Sequence, residues 1–398
     1  MRSTLLLLSL VKRKWLSPAN MVVSKSFLSS YAKQKSAREL SILFYGSDDF
    51  SIASLKLLHK KLLNPGLDAT VIVKNIQVVT TKCNNPVSLY CKKTDLPITL
   101  FDEYTVPNDQ FDLGVVSSFG RLIPSQAINA CHFGVFNIHG SLLPRWRGAS
   151  PIQHAILHGD EITGVTIMKI HPNSIFDRFD VGEILAQKPI EIVHRISAKQ
   201  LKQVMAPIGA QLLWDCIEDL DNCLANARKQ PEEGVTYARK LKITDGEIDW
   251  TNMNAYEIDR RFRAFNGTID VYTYWIDGTP LRLGDILDPD LVNRLNISVL
   301  AGHGHYEHLP GLVYYHKKRH ILCIASANET WSAFRSLTLK GRRKMSALGF
   351  SNTFIRPIVK EFKANNQGQR PFLIVGQTEK HGGMFNMNEF EQIKQQYL

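Results

Sequence analysis

The chain has 398 residues, of which 44% are hydrophobic and 21% are charged, a composition typical of globular proteins that argues against wholesale disorder and leaves room for two domains. The net charge of +11 is concentrated at the two ends, because residues 1–38 contribute +8, residues 39–238 contribute −3 and residues 239–398 contribute +6. No apolar run approaches the roughly 20 residues that a membrane-spanning helix requires, so we expect a protein without a membrane partner.

The first 38 residues are predicted to be a mitochondrial transit peptide. They contain eight lysines and arginines among serines and leucines, with no acidic residue, which is typical of an organelle targeting sequence. A secretory signal is one alternative, because LLLLSLV at 5–11 is apolar, but KRK at 12–14 stands where small residues and a cleavage site are expected. A disordered basic tail is the other alternative. Import into the mitochondrial matrix is the interpretation that we favour.

Residues 39–223 alternate between apolar runs and helical patterns. SILFYGSDDF at 41–50 predicts a strand, a turn and a helix. Further strands are predicted in four runs, of which the first is a pair of strands or one long interrupted strand: 69–82, 111–124, 134–141 and 164–171. Strands that alternate with helices indicate an α/β domain with a mostly parallel sheet, whose ligands bind beyond the carboxyl ends of the strands.

Two other classes of site are excluded by missing motifs. Gly46 follows the first predicted strand, but the G-x-G-x-x-G pattern of a dinucleotide-binding loop is absent, which argues against a nicotinamide cofactor. The six cysteines form no C-x-x-C pair. We therefore expect buried thiols in a reducing compartment, with neither a disulfide framework nor a zinc site.

The segment 224–242 is charged, poor in apolar residues and interrupted by Pro231 and Gly234, which predicts an interdomain linker. Beyond it, a helix is predicted over 255–265. The short strand-like runs that follow this helix favour a small β-barrel or a curled sheet. The chain is thus predicted to have two domains, at 39–223 and 243–398.

The C-terminal region carries a local excess of positive charge. Between residues 301 and 363, eleven basic residues stand against three acidic ones. Such an excess is the electrostatic footprint expected for binding to a polyanion. A solvated basic face without a partner explains the same pattern, and the charge alone does not separate the two interpretations.

The stretch FNIHGSLLPRWRGASPIQHAIL, residues 136–157, carries the most chemistry. Asn137 and His139 are two residues apart on a predicted strand, so their side chains project to the same face. An asparagine N–H can hold a developing oxyanion, and a histidine can move a proton near neutral pH. A pair that only satisfies backbone groups of the turn is the alternative. Downstream, Asp180 in FDVGEIL is a candidate to orient the His139 ring, and Asp177 competes for that role.

These residues resemble the signature of the folate-dependent formyltransferases, and in particular of the members that act on methionyl-tRNA. The likeness continues through five further runs after residue 157, which are HGDEITGVTIMKI (158–170), FDVGEIL (179–185), YARKLKITDGEIDW (237–250), RAFNG (263–267) and RRKMSA (342–347). It therefore covers most of the chain after residue 38. One departure is TTKCNNPVSLYC at 80–91, which is short and nearly uncharged where bacterial members have a long basic loop that grips the acceptor stem.

The resemblance implies a Rossmann-like N-terminal domain that binds 10-formyltetrahydrofolate and an OB-like C-terminal β-barrel that helps to hold tRNA. It implies transfer of the formyl group to the α-amine of initiator methionyl-tRNA for organellar translation initiation, with Asn137, His139 and Asp180 as the catalytic set. We expect a monomer that needs no metal. Substrate contacts are expected from residues at two strand ends, namely Phe119, Gly120, Gly140, Ser141, Leu142, Leu143 and Pro144. Contacts with tRNA phosphates are expected from six basic residues, namely Arg147, Lys317, Lys318, Arg342, Arg343 and Lys344.

Several alternatives stay open from the sequence. Arg145 and Arg147 either contact substrate or tRNA phosphate, or brace their loop against Asp160 or Glu161. A hydrolase of formyltetrahydrofolate, or a formyltransferase for a small amine, would share the first domain, but the basic C-terminal region argues against both. A non-catalytic RNA-binding protein that kept the fold is the third possibility, and the presence of Asn137, His139 and Asp180 argues against it.

Overall fold

The computed structural model describes residues 37–105, 110–172, 180–297, 309–367, 371–376, 383–386, 388–389 and 392. Asp177 and residues 1–36 of the predicted transit peptide lie outside these described residues. Arg38, which the sequence assigned to that peptide, is the first residue of a strand, and its guanidinium pairs with Asp221 at 2.8 Å. The end of the predicted peptide stays a prediction.

The first sheet contains seven strands among the described residues. In chain order they are β1 (Arg38–Gly46), β2 (Val71–Thr80), β3 (Ile98–Leu100), β4 (Leu113–Ser117), β5 (Val135–His139), β6 (Ile162–Ile170) and β7 (Ile184–Glu191). Their order across the sheet is β3-β2-β1-β4-β5-β6-β7. The first five strands are parallel to one another, whereas β6 and β7 are antiparallel to their neighbours. The predicted α/β class with a mostly parallel sheet is confirmed.

Helices cover both faces of this sheet, which explains the apolar runs in its central strands. They are α1 (Asp49–Leu63), α2 (Pro86–Thr94), α3 (Ser125–Asn129), α4 (Pro151–Leu157), α5 (Ala198–Glu218) and α6 (Leu220–Ala225). In β1, Ile42 and Phe44 belong to the core that includes α1 and α5, while Leu43 and Tyr45 belong to a second cluster on the opposite face. A strand that is buried on both faces reads as a continuous apolar run.

The run 69–82 forms one continuous strand, β2, and not a pair of strands. The interruption that its sequence suggested corresponds to a register shift against β1, between Leu40 and Ser41. A bulge of this kind leaves the strand continuous while it changes which residues face each other. Where α5 packs on β5 and β6, Gly209 lets the helix approach the two strands closely, because an added Cβ would lie 3.1 Å from Ile138 and from Val165.

The second sheet is antiparallel. Its strands are β8 (Tyr272–Tyr274), β9 (Pro280–Ile286), β10 (Val313–His316), β11 (Ile321–Ser326), β12 (Thr330–Leu339) and β13 (Met345–Ser346). The order is β10-β11-β12-β9-β8, with β13 paired to β12. The sequence did not identify β12, although it is the central strand. Its serines interrupt the apolar pattern, yet Ser332 is buried and lies 2.9 Å from the hydroxyl of Ser326.

A segment near the C-terminus joins the two edges of this sheet. It contains β14 (Phe372–Ile374), which pairs with β15 (Gly383–Phe385). Tyr274 of the edge strand β8 exchanges two backbone hydrogen bonds of 3.0 Å with Gly376. At the other edge, the Val375 N–H donates to the Gly311 carbonyl at 3.0 Å, and Leu312 bridges to Ile374. The segment thereby closes the sheet into the barrel that the sequence predicted as one of two options.

Four α-helices accompany the second sheet within the part of the chain that the structure describes, namely α7 (Ala255–Phe265), α8 (Pro289–Asn293), α9 (Ala347–Phe350) and α10 (Arg356–Asn365). The α7 bounds are those predicted. Arg260 of α7 donates to the Leu157 carbonyl at the end of α4 at 3.0 Å, and Arg263 donates to the Ile196 carbonyl at 3.2 Å. These bonds join the second sheet to the first. No helix among the described residues has the length and apolar character needed to cross a membrane.

Candidate active site

The candidate site lies at the carboxyl end of β5, where the parallel part of the sheet meets the antiparallel part. Asn137 and His139 project to the same face of β5, because they are two residues apart on one strand. His139 is 5% exposed, and Asn137 is half-buried. The parallel neighbour β4 contributes Phe119 and Gly120 just beyond its own carboxyl end. Ligands bind at this edge of the sheet in α/β folds, and it carries both the Asn137–His139 pair and the predicted substrate contacts Phe119 and Gly120.

Asp180 meets Asn137 and His139 in space. The Asn137 amide Nδ2 donates to Asp180 Oδ1 at 3.1 Å, and the backbone N–H of Gly148 donates to Asp180 Oδ2 at 2.9 Å. His139 Nδ1 lies 3.6 Å from Asp180 Oδ2. The Asp180 backbone has a left-handed φ of 56°, which directs its side chain into the site. The three residues predicted to form the catalytic set are therefore in mutual contact.

The environment of His139 determines which ring nitrogen carries a proton. His139 Nε2 lies 2.9 Å from the backbone oxygen of Trp146. A carbonyl oxygen can only accept, so Nε2 must be the protonated nitrogen of a neutral ring. This leaves Nδ1, which faces Asp180, as the nitrogen that can take up a second proton. A proton accepted there would place the imidazolium charge beside the carboxylate.

Hydrogen bonds hold the loop after β5, residues 140–150, in one conformation. The Ser141 hydroxyl donates to the Arg145 carbonyl at 2.6 Å. Thr166 of β6 donates its hydroxyl to the Ser141 carbonyl at 2.7 Å and accepts the Leu143 N–H at 3.1 Å. Among the predicted substrate contacts, Gly140, Ser141 and Leu143 are buried, and Leu142 and Pro144 are half-buried. The buried members shape the loop, and the half-buried ones are the more accessible to a ligand.

Phe119 and Gly120 differ in what they offer a ligand. Phe119 is 4% exposed and makes edge contacts with Tyr45 and Phe101, at 5.2 Å between ring centroids in each case. Gly120 is exposed, has a φ of 73°, and would have no atom within 4 Å of an added Cβ. Phe119 therefore forms the apolar base of this part of the site, while Gly120 leaves open space above it.

Arg145 braces the loop, as one of the two sequence interpretations expected. Its Nε and Nη2 donate to the two carboxylate oxygens of Asp160 at 2.8 and 2.6 Å. The Trp146 indole N–H donates to the same carboxylate at 2.7 Å, and the Arg145 guanidinium lies 4.3 Å from the centroid of the Trp146 ring. The hydrogen bonds that Arg145 donates to Asp160 raise the pKa of Arg145. This clamp fixes Trp146, whose carbonyl orients His139.

Arg147 points away from solvent and contacts the predicted linker. It is 8% exposed, and its Nε and Nη2 donate to Gln230 Oε1 at 3.0 and 2.7 Å. The Arg147 N–H also donates to the Thr236 carbonyl at 2.9 Å, and the Ala238 N–H donates to the Arg147 carbonyl at 2.7 Å. Arg147 thus braces its loop against the linker and not against Asp160 or Glu161, and its contact with tRNA stays a prediction.

The predicted linker also contacts Asp180, the candidate catalytic aspartate. The sequence did not reveal this contact. Gln230 Nε2 donates to the Asp180 carbonyl at 2.7 Å and to the Gly182 carbonyl at 2.8 Å. Gly148 approaches the linker so closely that an added Cβ would lie 2.7 Å from the Ala238 oxygen. The segment 224–242 therefore forms part of the wall of the site. The polar residues that make these contacts occupy no periodic position that would have marked them.

The predicted tRNA contacts of the second sheet lie in two turns. Lys317 and Lys318 are exposed in the turn between β10 and β11, and Arg342 and Arg343 are exposed in the turn between β12 and β13. Lys344 differs from them, because its Nζ lies 2.9 Å from Asp285 Oδ2. Its charge is therefore partly compensated within the protein. Binding of tRNA by these side chains stays a prediction.

Comparisons with known proteins extend these observations to most of the chain. Residues 42–217 match the Formyl transferase family, and residues 240–354 match the Formyl transferase, C-terminal domain family. The mitochondrial methionyl-tRNA formyltransferase of Bos taurus is 36% identical over 332 residues, which cover 82% of this chain and 80% of the relative. Its human counterpart is 35% identical over 334 residues, with the same coverage. A methionyl-tRNA formyltransferase of Coxiella burnetii is 32% identical over 68% of this chain and 91% of its own length.

A solved structure shares the fold at low sequence identity. The N-formyltransferase from Helicobacter canadensis, in complex with folinic acid and dTDP-3-aminofucose, superposes with a TM-score of 0.51. It is 15% identical, and the match covers 75% of this chain and 98% of that chain. At this identity the likeness concerns the architecture alone.

Proposed function

Because the chain belongs to the formyl transferase family, we propose that it transfers the formyl group of 10-formyltetrahydrofolate to the α-amino group of initiator methionyl-tRNA. The observation that carries this proposal is the contact of Asn137, His139 and Asp180 at the carboxyl end of β5. The acceptor is supported by relatives that act on methionyl-tRNA and match both parts of the chain. Because four mammalian relatives are mitochondrial enzymes, we place the reaction in the mitochondrial matrix.

In the first step, the α-amine of the methionyl group attacks the formyl carbon of the folate. A C–N bond forms while the carbonyl π electrons move to the formyl oxygen, which becomes an oxyanion. An amide NH2 group has two N–H bonds, so Asn137 can donate one to Asp180 and the other to this oxyanion. A free α-amino group titrates near about 7.7–8.0, so only modest help from a base is needed to keep it neutral.

In the second step, the tetrahedral intermediate collapses and the folate nitrogen N10 leaves. The ammonium formed by the attack must lose a proton, and N10 must gain one as its bond to carbon breaks. His139 can accept the first proton at Nδ1 and return a proton to N10, while Asp180 stabilises the transient imidazolium. The products are formylmethionyl-tRNA and tetrahydrofolate, so no net proton is consumed. Holding two large substrates together contributes to the rate as well.

The remaining alternatives differ from this proposal in their products. A hydrolase would use water as the nucleophile and release formate, and a small-amine formyltransferase would not label tRNA. The methionyl-tRNA formyltransferases whose match covers 82% of this chain support a tRNA acceptor over both. A non-catalytic RNA-binding protein would form no product at all.

The test measures transfer of label from 10-formyltetrahydrofolate to charged initiator tRNA by the full chain. We expect acid-precipitable label on methionyl-tRNA, and a fall in kcat of about 100- to 1000-fold for Asn137→Ala, because an oxyanion donor is lost. Asn129→Ala, at an exposed position of α3, serves as the control and should retain full activity. Release of labelled formate without labelled tRNA would replace the proposal with the hydrolase.

A further inference from the structure

We propose that Gln230 is a positioning residue for formyl transfer, holding the main chain of Asp180 so that its carboxylate faces Asn137 and His139. The inference rests on the proposed function and extends it to a residue of the predicted linker. Gln230 lies 50 residues from Asp180 in sequence and is half-buried beside it. It does not contact the reacting groups, so any effect on the reaction must act through Asp180.

The orientation of the Gln230 amide follows from its partners. A guanidinium can only donate hydrogen bonds, so the two contacts from Arg147 identify the atom that faces it as the oxygen Oε1. The NH2 group must then point to the opposite side. There it meets two acceptors, the carbonyl oxygens of Asp180 and Gly182 at 2.7 and 2.8 Å. Both ends of the amide are thus matched to partners that fit only this orientation.

The backbone that Gln230 supports is tightly constrained. Asp180 has a left-handed φ of 56°, a conformation that residues with a Cβ adopt infrequently. Two residues later, Gly182 packs against β6 so closely that an added Cβ would lie 1.7 Å from the Lys169 oxygen. The two bonds from Gln230 span this turn on its other side. They fix the direction in which the Asp180 side chain leaves the main chain.

Gln230 is connected both to the main chain of Asp180 and, through Arg147 and Gly148, to the Asp180 carboxylate. Gln230 binds the Asp180 carbonyl directly, and through Arg147 it is linked to Gly148. The Gly148 N–H in turn donates to the Asp180 carboxylate at 2.9 Å. Arg147 itself is held by backbone bonds to Thr236 and Ala238. If the Gln230 NH2 group is lost, the Asp180 main chain can shift relative to Gly148, and its carboxylate then moves relative to His139.

The test substitutes Gln230→Glu, which preserves the size of the side chain and an oxygen for Arg147. The second carboxylate oxygen would face two carbonyl oxygens in place of the NH2 group. We expect kcat for formyl transfer to fall about 10- to 100-fold, because displacement of a catalytic group by about 1 Å has an effect of this size. The KM for methionyl-tRNA should change by less than about two-fold, since the substitution acts on the transition state and not on the binding of the substrate. Gln203→Glu, which makes the same charge change on an exposed position of α5, should leave both constants unchanged.

A double substitution separates positioning from general weakening of the fold. In an Asp180→Asn background, Gln230→Glu should lower the residual rate by less than about two-fold, because residues that act through one another are not additive. An equal loss in both backgrounds, or a Gln230→Glu protein as active as the wild type, would overturn the inference. Gln230→Met, which has a similar length and no charge, provides the same comparison if Gln230→Glu fails to fold. A wild-type protein that forms no formylmethionyl-tRNA would instead overturn the proposed function, and this inference with it.

Discussion

Asp180 has a distinct partner for each of its carboxylate oxygens. Oδ1 accepts from the Asn137 amide, and Oδ2 accepts from the Gly148 N–H while it lies 3.6 Å from His139 Nδ1. Because the Asn137 and Gly148 contacts each require an acceptor oxygen, no neutral amide of the same shape can reproduce both. Asp180 therefore orients the amide proposed to hold the oxyanion and at the same time faces the proposed base.

Asp180→Asn should lower kcat by about 1000- to 10,000-fold, the loss seen when a carboxylate that orients a catalytic histidine becomes an amide. The substitution nearly preserves volume, so we expect a melting temperature within a few degrees of the wild type. Single-turnover transfer to methionyl-tRNA and thermal denaturation measure the two effects. Asp177→Asn is the control, since Asp177 was the competing candidate, and it should be mild. Equal losses at both positions would contradict the assignment of Asp180.

Individual elements differ in how much their own sequence specifies them. The helix α7 was predicted at its observed bounds, and the structure shows that it is stabilised locally, because Asn254 caps it and Glu257 completes a capping box. The strand β14 has three residues and was not predicted. The residues that follow it close the barrel through hydrogen bonds to Tyr274 and Gly311, which are far away in the chain. Capping residues and hydrophobic periodicity in the sequence therefore predict an element such as α7, which is stabilised by its own residues, but not one such as β14, which depends on distant partners.

Ending the chain at Gln367 should open the barrel and lower its stability. The truncation removes four buried apolar side chains, namely Phe372, Leu373, Ile374 and Val375. Full burial of such a side chain contributes about 1.5–3 kcal/mol, so we expect a loss on the order of 5 kcal/mol or more in the free energy of unfolding. Urea denaturation measures this change. A chain that ends at Asn386 retains β14 and β15 and should unfold like the full protein, and equal stability of the two truncations would argue against the closing role.

At the scale of the whole molecule, the two sheets are joined by directional contacts as well as by apolar packing. Asp259 of α7 is 4% exposed and pairs with Arg195 at 2.9 Å and with Arg263 at 2.8 Å. A buried carboxylate that has lost its water is stabilised only when such partners are held in place. The exposed basic turns of the second sheet are thereby carried at a fixed position relative to the candidate site.

Reversing the charge of Arg342 and Arg343 together should raise the KM for methionyl-tRNA without changing the KM for the folate. Each lost phosphate contact should also reduce the slope of log affinity against log salt by about 1. Transfer kinetics at several salt concentrations measure both. Charge reversal of Lys60 and Lys188, two exposed lysines of the first domain, is the matched control. An unchanged KM for methionyl-tRNA would indicate that the basic turns are only a solvated face without a partner.

The sequence by itself determined the α/β class and the alternation of strands and helices, and it singled out Asn137, His139 and Asp180, which the structure brings into contact. These features are encoded locally, in hydrophobic periodicity, capping residues and a short family motif. Only the tertiary structure decided that Arg147 faces Gln230, that the predicted linker supports Asp180 and that residues 371–376 close the barrel. These contacts join residues that are far apart in the chain, through single polar groups whose partners are known only once the chain has folded.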